Sequence, residues 1–418
     1  MSLQSELLTT AKQAQKAARF LSVVSTEEKN KAIKTMAKEL LKHSKAIIAA
    51  NKLDVQSAKK EKRNSAFIDR LSLDLSGIKK MSDDLIAVAD LADPVSEVIK
   101  TWQRPNGLVL SKVRVPLGVI GIIYESRPNV TSDCAGLCLK TGNAVILRGG
   151  KESIHSNQAI YKVISLALRK TGFPQGCISL IQTTDRQAVN ELLKLNDYID
   201  LIIPRGGESL IRGVVENSLI PVIKHYKGIC HIYVDKYADF AMAQAVAFNA
   251  KVQRPSTCNA MECLLVHADI ALDFLPEMVK HLRKSGVEIR GCAKTAKLIP
   301  GIKLASNQDY ATEYLDLILS VKIVSSLKQA VDHIAKYGSK HSEAIITENL
   351  RNGTSFLKSV DAACVYLNAS TRFTDGNQFG LGAEIGVSTD KLHARGPMGL
   401  VELTTYKYVI IGNGQIRT

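Results

Sequence analysis

A cysteine stands in the stretch Gln253-Arg254-Pro255-Ser256-Thr257-Cys258-Asn259-Ala260-Met261-Glu262, between a basic, proline-stiffened approach and the apolar run Cys263-Leu264-Leu265-Val266. A thiol is a useful nucleophile only as thiolate, and nearby cations or inward-pointing backbone amides favour that form. Lys251 and Arg254 are the nearest cations in sequence, and Pro255 fixes one backbone angle just ahead of the thiol. The competing reading is a small buried hydrophobe, which is what most free cysteines are, and the chain has eight of them. Cys134 and Cys138 lie one helical turn apart and read as a packed face. No Cys-x-x-Cys pair occurs. His333 and His341 have no cysteine or carboxylate at ligand spacing, so no metal is expected.

Two glycine-rich turns could hold phosphates: Arg148-Gly149-Gly150-Lys151 and Pro204-Arg205-Gly206-Gly207. Each follows an apolar run. Glycines beyond a strand's C-terminal end let backbone approach a ligand, and the next helix N-terminus favours its phosphates. Ordinary tight turns need glycine too. Gly380-Leu381-Gly382-Ala383-Glu384-Ile385-Gly386 carries one residue too many for a dinucleotide fingerprint and follows no clear strand.

The elements that must position these groups show in the hydrophobic period. The first hundred residues read as helices, with a capping box at Ser25-Thr26-Glu27-Glu28 and Ile33, Met36, Ala37, Leu40 and Leu41 on one face. Lys112-Val113-Arg114-Val115 alternates as a half-exposed strand does. Short apolar runs then recur at 119–124, 144–147, 178–181 and 201–203, each followed by a helical stretch, which indicates a parallel sheet with crossover helices. A second alternation runs from Met261 to Leu367, with helices expected near 270–285 and 326–337. The end, Val401 to Ile411, is strand-like. An exposed terminal strand needs a partner, so it should pair with the 108–115 strand or with another subunit.

Composition narrows the classes. A chain of 418 residues exceeds one ordinary core, so several domains are expected. Apolar residues are 45% and charged residues 23%, and no run approaches a membrane span. The polar start lacks the apolar core of a signal peptide, and a cytoplasmic protein with no membrane partner is expected. Lys plus Arg exceeds Asp plus Glu, 55 against 40, giving +15. Much of that excess falls on helix faces, and aromatics are only 5% with no basic-aromatic interleaving, so nucleic acid is not expected as a partner.

Three stretches carry a resemblance. Val324 through Ala330-Val331-Asp332-His333-Ile334 to Tyr337-Gly338-Ser339-Lys340-His341-Ser342-Glu343-Ala344-Ile345 is one, and the Cys258 loop is the second. The third joins Phe373-Thr374-Asp375-Gly376-Asn377-Gln378-Phe379-Gly380 to His393-Ala394-Arg395-Gly396-Pro397-Met398-Gly399-Leu400. Together they resemble the aldehyde dehydrogenase superfamily, and within it the branch that reduces L-glutamyl 5-phosphate. The resemblance implies an α/β fold with a Rossmann-type cofactor domain, a second α/β catalytic domain and a β-strand oligomerisation extension. It places the cofactor domain at 1–232, with 100–116 contributing to the oligomerisation strand, the catalytic domain at 233–398, and a terminal strand segment at 399–418.

The resemblance further implies NADPH as cofactor, glutamyl phosphate as substrate, a separate glutamate kinase as supplier, and a homo-oligomer. Cys258 would attack the acyl carbon and carry it as a thioester. Its backbone amide or Asn129 would meet the oxyanion. Arg148 and Lys151 would face the cofactor's 2′-phosphate, where an acidic residue would repel it. Arg205, Gly206 and Gly207 would form the second glycine turn of the cofactor site, and Glu313 would hold the nicotinamide ribose. Arg254, Lys340, His341 and Arg395 are the substrate-binding candidates. His225-Tyr226-Lys227-Gly228-Ile229-Cys230 occupies the place where hydrolytic relatives carry a glutamate base on a strand, and a missing base would protect a thioester from water. His225 could act as a weaker base or simply pack. A hydrolytic aldehyde dehydrogenase, or a basic binding protein of the same fold, is the alternative.

Overall fold

The structure is a computed structural model that describes residues 2–417, except the side chains of Ser65 and Ala66. The chain divides into two compact units. One comprises residues 1–224, 380–386 and 398–418; the other comprises 225–379 and 387–397. The first break therefore falls ahead of residue 225, not at 232, and the 380–386 and 398 segments return to the first unit.

The first unit opens with helices Leu3–Leu21, Thr26–Lys42, Ser44–Lys60, Ser65–Leu71 and Leu75–Asp90. Ser25 and Glu28 form the expected reciprocal cap, each satisfying an amide the helix start leaves bare. Ile33, Met36, Ala37 and Leu40 are buried, but Leu41 is 41% exposed because it rotates past the edge of the packed face. Strands Ile178–Leu180, Ala144–Gly149, Val119–Tyr124 and Leu201–Arg205 form a parallel sheet in that spatial order. Every residue of the 119–124 and 144–149 strands is buried. That explains their unbroken apolar runs, since helices must cover both faces of a parallel sheet. Cys134 and Cys138 are buried on the helix Val130–Lys140. A separate antiparallel ribbon joins Val98–Gln103, Val109–Pro116 and Thr404–Ile411, with Thr404 opposite Pro116 and Ile411 opposite Val109. Val401–Leu403, expected as strand, forms a 3-10 turn instead.

The second unit is a seven-stranded sheet in the order Lys303–Leu304, Glu288–Gly291, Ile318–Val324, Met261–His267, Cys230–Val234, Ser342–Ile346 and Cys364–Leu367. All its pairs are parallel. Side chains alternate between two apolar layers. Ile232, Val234, Leu264 and Val266 face one, against the helix Ala271–Lys284; Tyr233, Cys263, Leu265 and Ile345 face the other, with Ile334 of the helix Leu327–Tyr337. The central strand Met261–His267 directly follows the Cys258 turn, so the most rigid part of this sheet carries the thiol.

Candidate functional site

Cys258 sits half-buried in a turn between the helix Phe240–Val252 and the 261–267 strand. Two kinds of contact pin that turn. Thr257 Oγ1 donates to the Arg254 carbonyl at 2.9 Å, and Asn259 Nδ2 donates to the Thr374 carbonyl at 2.8 Å. From beneath, the Cys230 thiol donates to the Cys258 carbonyl at 3.2 Å. Gly228 lies so close to this carbonyl that a Cβ there would stand 1.9 Å from the oxygen. Only glycine permits that approach.

Sheet pairing and loops bring two imidazoles to the thiol. Donor atoms of His225, Cys258 and His341 lie within 4.8 Å of one another. His225 Nδ1 is 2.8 Å from the Val387 carbonyl. A carbonyl only accepts, so that nitrogen carries a hydrogen, and in the neutral ring the lone pair is on Nε2. His341 is fully buried, with Nδ1 2.9 Å from Ser342 Oγ. The 225–229 stretch is irregular.

The other expected residues of this unit fall in several places. Lys251 is not a neighbour that activates the thiol: it is buried and paired with Glu262 at 2.7 Å, because its position on the 240–252 helix points inward. Burial lowers its pKa against the pull of Glu262. Glu313 Oε1 accepts from the Gly228 amide at 2.9 Å, so it holds the loop under the nucleophile. Lys340 and Arg395 both converge on Asp361, at 3.8 and 2.8 Å, with Lys391 as a third cation. Lys391 and Arg395 hold the Asp361 carboxyl down at about 2. Arg254 is exposed beside the turn. Arg372, which the sequence reading passed over, donates through Nε to Gln253 Oε1 at 2.9 Å and through Nη1 to Asn259 Oδ1. Its signal was faint: one basic residue directly ahead of the Phe373-Thr374-Asp375 motif.

A second cluster, His231, Cys263 and His333, also lies within 4.8 Å and is wholly buried. Sequence spacing concealed it, since neighbouring strands supply His231 and Cys263. Its donors are largely committed. His231 Nδ1 bonds Glu343 at 2.9 Å. Lys322 Nζ lies 3.1 Å from His333 Nδ1, which leaves the His333 ring hydrogen on Nε2, facing the Cys263 sulfur at 3.7 Å. A metal would need that position as a lone pair.

In the first unit, a cavity of about 550 Å³ opens at the C-terminal ends of the 119–124 and 144–149 strands. Ser126, Gly150 and the cations Arg63, Arg148, Lys151 and Arg186 line it, together with the carboxylates Glu125 and Glu152. Both carboxylates are engaged. Glu152 Oε1 accepts from the Ser126 amide at 2.6 Å and hydroxyl at 3.0 Å, while Glu125 Oε2 accepts from the Gly207 amide at 2.9 Å. Arg148 donates to the Thr184 and Asp185 carbonyls at 3.1 and 3.3 Å, and its buried Nε has no partner. Burial lowers the Arg148 pKa. Lys151 is exposed at the rim. Arg205, Gly206 and Gly207 do not line the cavity; Arg205 lies against Gly386, where a Cβ would meet its guanidinium at 2.1 Å. Asn129 stands at the N-cap of the 130–140 helix without a capping bond, its amide donating to Asp133 Oδ2 at 2.8 Å. A pocket with an unpartnered guanidinium nitrogen and free lysine rim suits an anionic nucleotide.

Comparison with known proteins follows the same lines. The aldehyde dehydrogenase family matches residues 3–302. A gamma-glutamyl phosphate reductase of Caldanaerobacter subterraneus subsp. tengcongensis is 57% identical over 99% of this chain and 100% of its own. The crystal structure of gamma-glutamyl phosphate reductase from Thermotoga maritima superposes with a TM-score of 0.96 at 50% identity, covering 99% of this chain and 100% of that one. An acetylating aldehyde dehydrogenase from Geobacillus thermoglucosidasius shares the fold, with a TM-score of 0.71 at 17% identity over 100% of this chain and 98% of that one.

Proposed function

The chain belongs to the aldehyde dehydrogenase family and, within it, to the gamma-glutamyl phosphate reductases, and from that premise we propose a mechanism for these particular residues. The enzyme reduces L-glutamyl 5-phosphate to L-glutamate 5-semialdehyde and phosphate, a step of proline biosynthesis. The observation that carries the mechanism is the Cys258 thiol held within 4.8 Å of two imidazoles on a turn pinned to the central strand.

His225, with its Nε2 lone pair, takes the thiol proton. The thiolate attacks the acyl carbon, the bond to the bridging oxygen breaks, and its electron pair leaves on phosphate. The thiol's proton ends on that phosphate, so the thioester step is balanced without an external acid. The Cys258 backbone amide is the donor we assign to the oxyanion; Asn129 would first have to release Asp133. Nicotinamide, when bound, supplies the hydride that reduces the acyl carbon. Cys258 then leaves as thiolate and the aldehyde is freed. The place where hydrolytic relatives carry their glutamate base holds no carboxylate here, which supports reduction of the thioester over its hydrolysis.

Arg148 and Lys151 support NADPH over NADH, since an added 2′-phosphate gains from cations at the cavity rim. Among the described residues no helix is long and apolar enough to cross a membrane. We assign the enzyme to the cytoplasm, supplied by a separate glutamate kinase, and working as a homo-oligomer through the 98–116 and 404–411 ribbon. Cys258→Ser should abolish turnover and leave NADPH binding intact. Turnover close to wild type rules out the covalent route.

A further inference from the structure

We infer that Arg372 and Arg254 together form the seat of the substrate's phosphate group beside Cys258, Arg372 being the fixed member. This rests on the thioester mechanism above and adds which cations receive the leaving group. Arg372 belongs to the short turn Thr371–Phe373, which is fastened to the nucleophile's turn from two sides: Thr371 Oγ1 donates to the Asn259 carbonyl at 2.8 Å, and Asn259 returns a bond to the Thr374 carbonyl at 2.8 Å. Its guanidinium is aimed by Gln253 Oε1 and Asn259 Oδ1, and both are neutral amides. Neither cancels its charge.

That is unusual among the half-buried arginines of this unit. Arg290 is held by Glu288 and Asp309 at 2.8 and 2.7 Å, and Arg395 by Asp361. Among the described residues neither Arg254 nor Arg372 has a carboxylate within ion-pair distance. Burial and then the like charge of Arg254 both lower the Arg372 pKa, with Cys258 and Asp375 as the opposing charges. Arg372, half-buried and aimed by the amides of Gln253 and Asn259, and the exposed Arg254 that follows Gln253 in the chain bring two like charges to the thiol's turn, and a dianion would relieve them. A planar fork suits phosphate oxygens better than a point charge does.

The substrate has two anionic ends, and connectivity separates them. Its phosphate is one oxygen away from the carbon that sulfur attacks, while the α-carboxylate lies at the far end of the glutamyl chain. Cations on the nucleophile's turn, or on the turn fastened to it, therefore meet the phosphate. As the thiolate forms the new C–S bond, charge accumulates on the departing phosphate, and the two arginines stabilise it where it develops.

The test is the reverse reaction, glutamate semialdehyde plus NADP⁺ with inorganic phosphate as the varied substrate. Arg372→Gln and Arg254→Gln should each raise the phosphate KM about 10-fold or more, the loss expected for a charge-assisted contact. The KM values for semialdehyde and NADP⁺ should move far less. Arg372→Lys should recover part of the loss, because charge survives and the fork does not. Alkylation of Cys258 by iodoacetamide at the wild-type rate shows that the turn is intact. If Arg372→Gln disturbs that rate, Arg254→Gln decides, since its side chain bonds nothing in the turn. An unchanged phosphate KM, or an equal rise in both KM values, overturns the seat. Turnover by Cys258→Ser overturns the thioester mechanism instead, so the two failures are distinct.

Discussion

Gly228→Ala is the sharpest probe of how the thiol is held. A Cβ at this position would stand 1.9 Å from the Cys258 carbonyl oxygen, 2.5 Å from the carbonyl carbon and 2.6 Å from Cα. These are backbone atoms, so no flexible side-chain end can give way. To bring the oxygen even to 3.0 Å, the peptide must retreat by about 1.1 Å. The Cys230 thiol on that carbonyl and the Thr371 hydroxyl on Asn259 resist the shift. Nucleophile misplacement of about 1 Å can cost roughly 10²-fold in rate, close to 2.7 kcal/mol of barrier. Steady-state kcat should fall by about that factor. NADPH titration should be unchanged, because the cavity proposed for the cofactor is lined by residues of the other unit. A kcat near wild type, with Cys258 alkylated at its usual rate, would refute the claim that this contact sets the sulfur's position.

Three further outcomes are expected. Lys151→Glu should weaken NADPH more than NADH in fluorescence titrations, since a carboxylate at the rim repels a 2′-phosphate; equal losses count against the assignment. His225→Phe should slow Cys258 alkylation at neutral pH and shift its pH profile upward, whereas an unchanged profile would mean the ring only packs. His333 gives a stability test with a definite sign. Burial, then His231 and two lysines, push its pKa down to about 2, so the unfolded chain binds its proton first. Its contribution is complete above the unfolded value of about 6.5 and is lost as pH falls toward 2, at up to ~1.4 kcal/mol per pH unit. Urea unfolding of wild type against His333→Gln should show the gap closing as pH drops from 7 to 5; a gap that widens contradicts it.

Much of this was legible in the chain because the determining signals are local. The unbroken apolar runs at 119–124 and 144–147 announce buried parallel strands, and Ser25 with Glu28 announces a helix start. Cys258 stood out through its own neighbours. What escaped was everything decided across the sheet. His225, Cys258 and His341 meet only because loops and strands far apart in sequence converge, and His231 finds Cys263 through strand pairing. Lys251 looked like a helper of the thiol because sequence distance carries no direction; its helix turns it toward Glu262. Arg205 looked like a phosphate ligand for the same reason, and the fold lays it on Gly386. Arg372 had no local cue beyond its place beside a recognisable motif.

The central claim is that Cys258 holds the acyl group as a thioester between loss of phosphate and reduction by a nicotinamide hydride. It is tested most directly by supplying glutamate semialdehyde and NADP⁺ with and without inorganic phosphate and following reduced-nicotinamide absorbance. Sustained NADPH formation should require phosphate, with at most one turnover per Cys258 in its absence. Continuous oxidation to free glutamate without phosphate would contradict it.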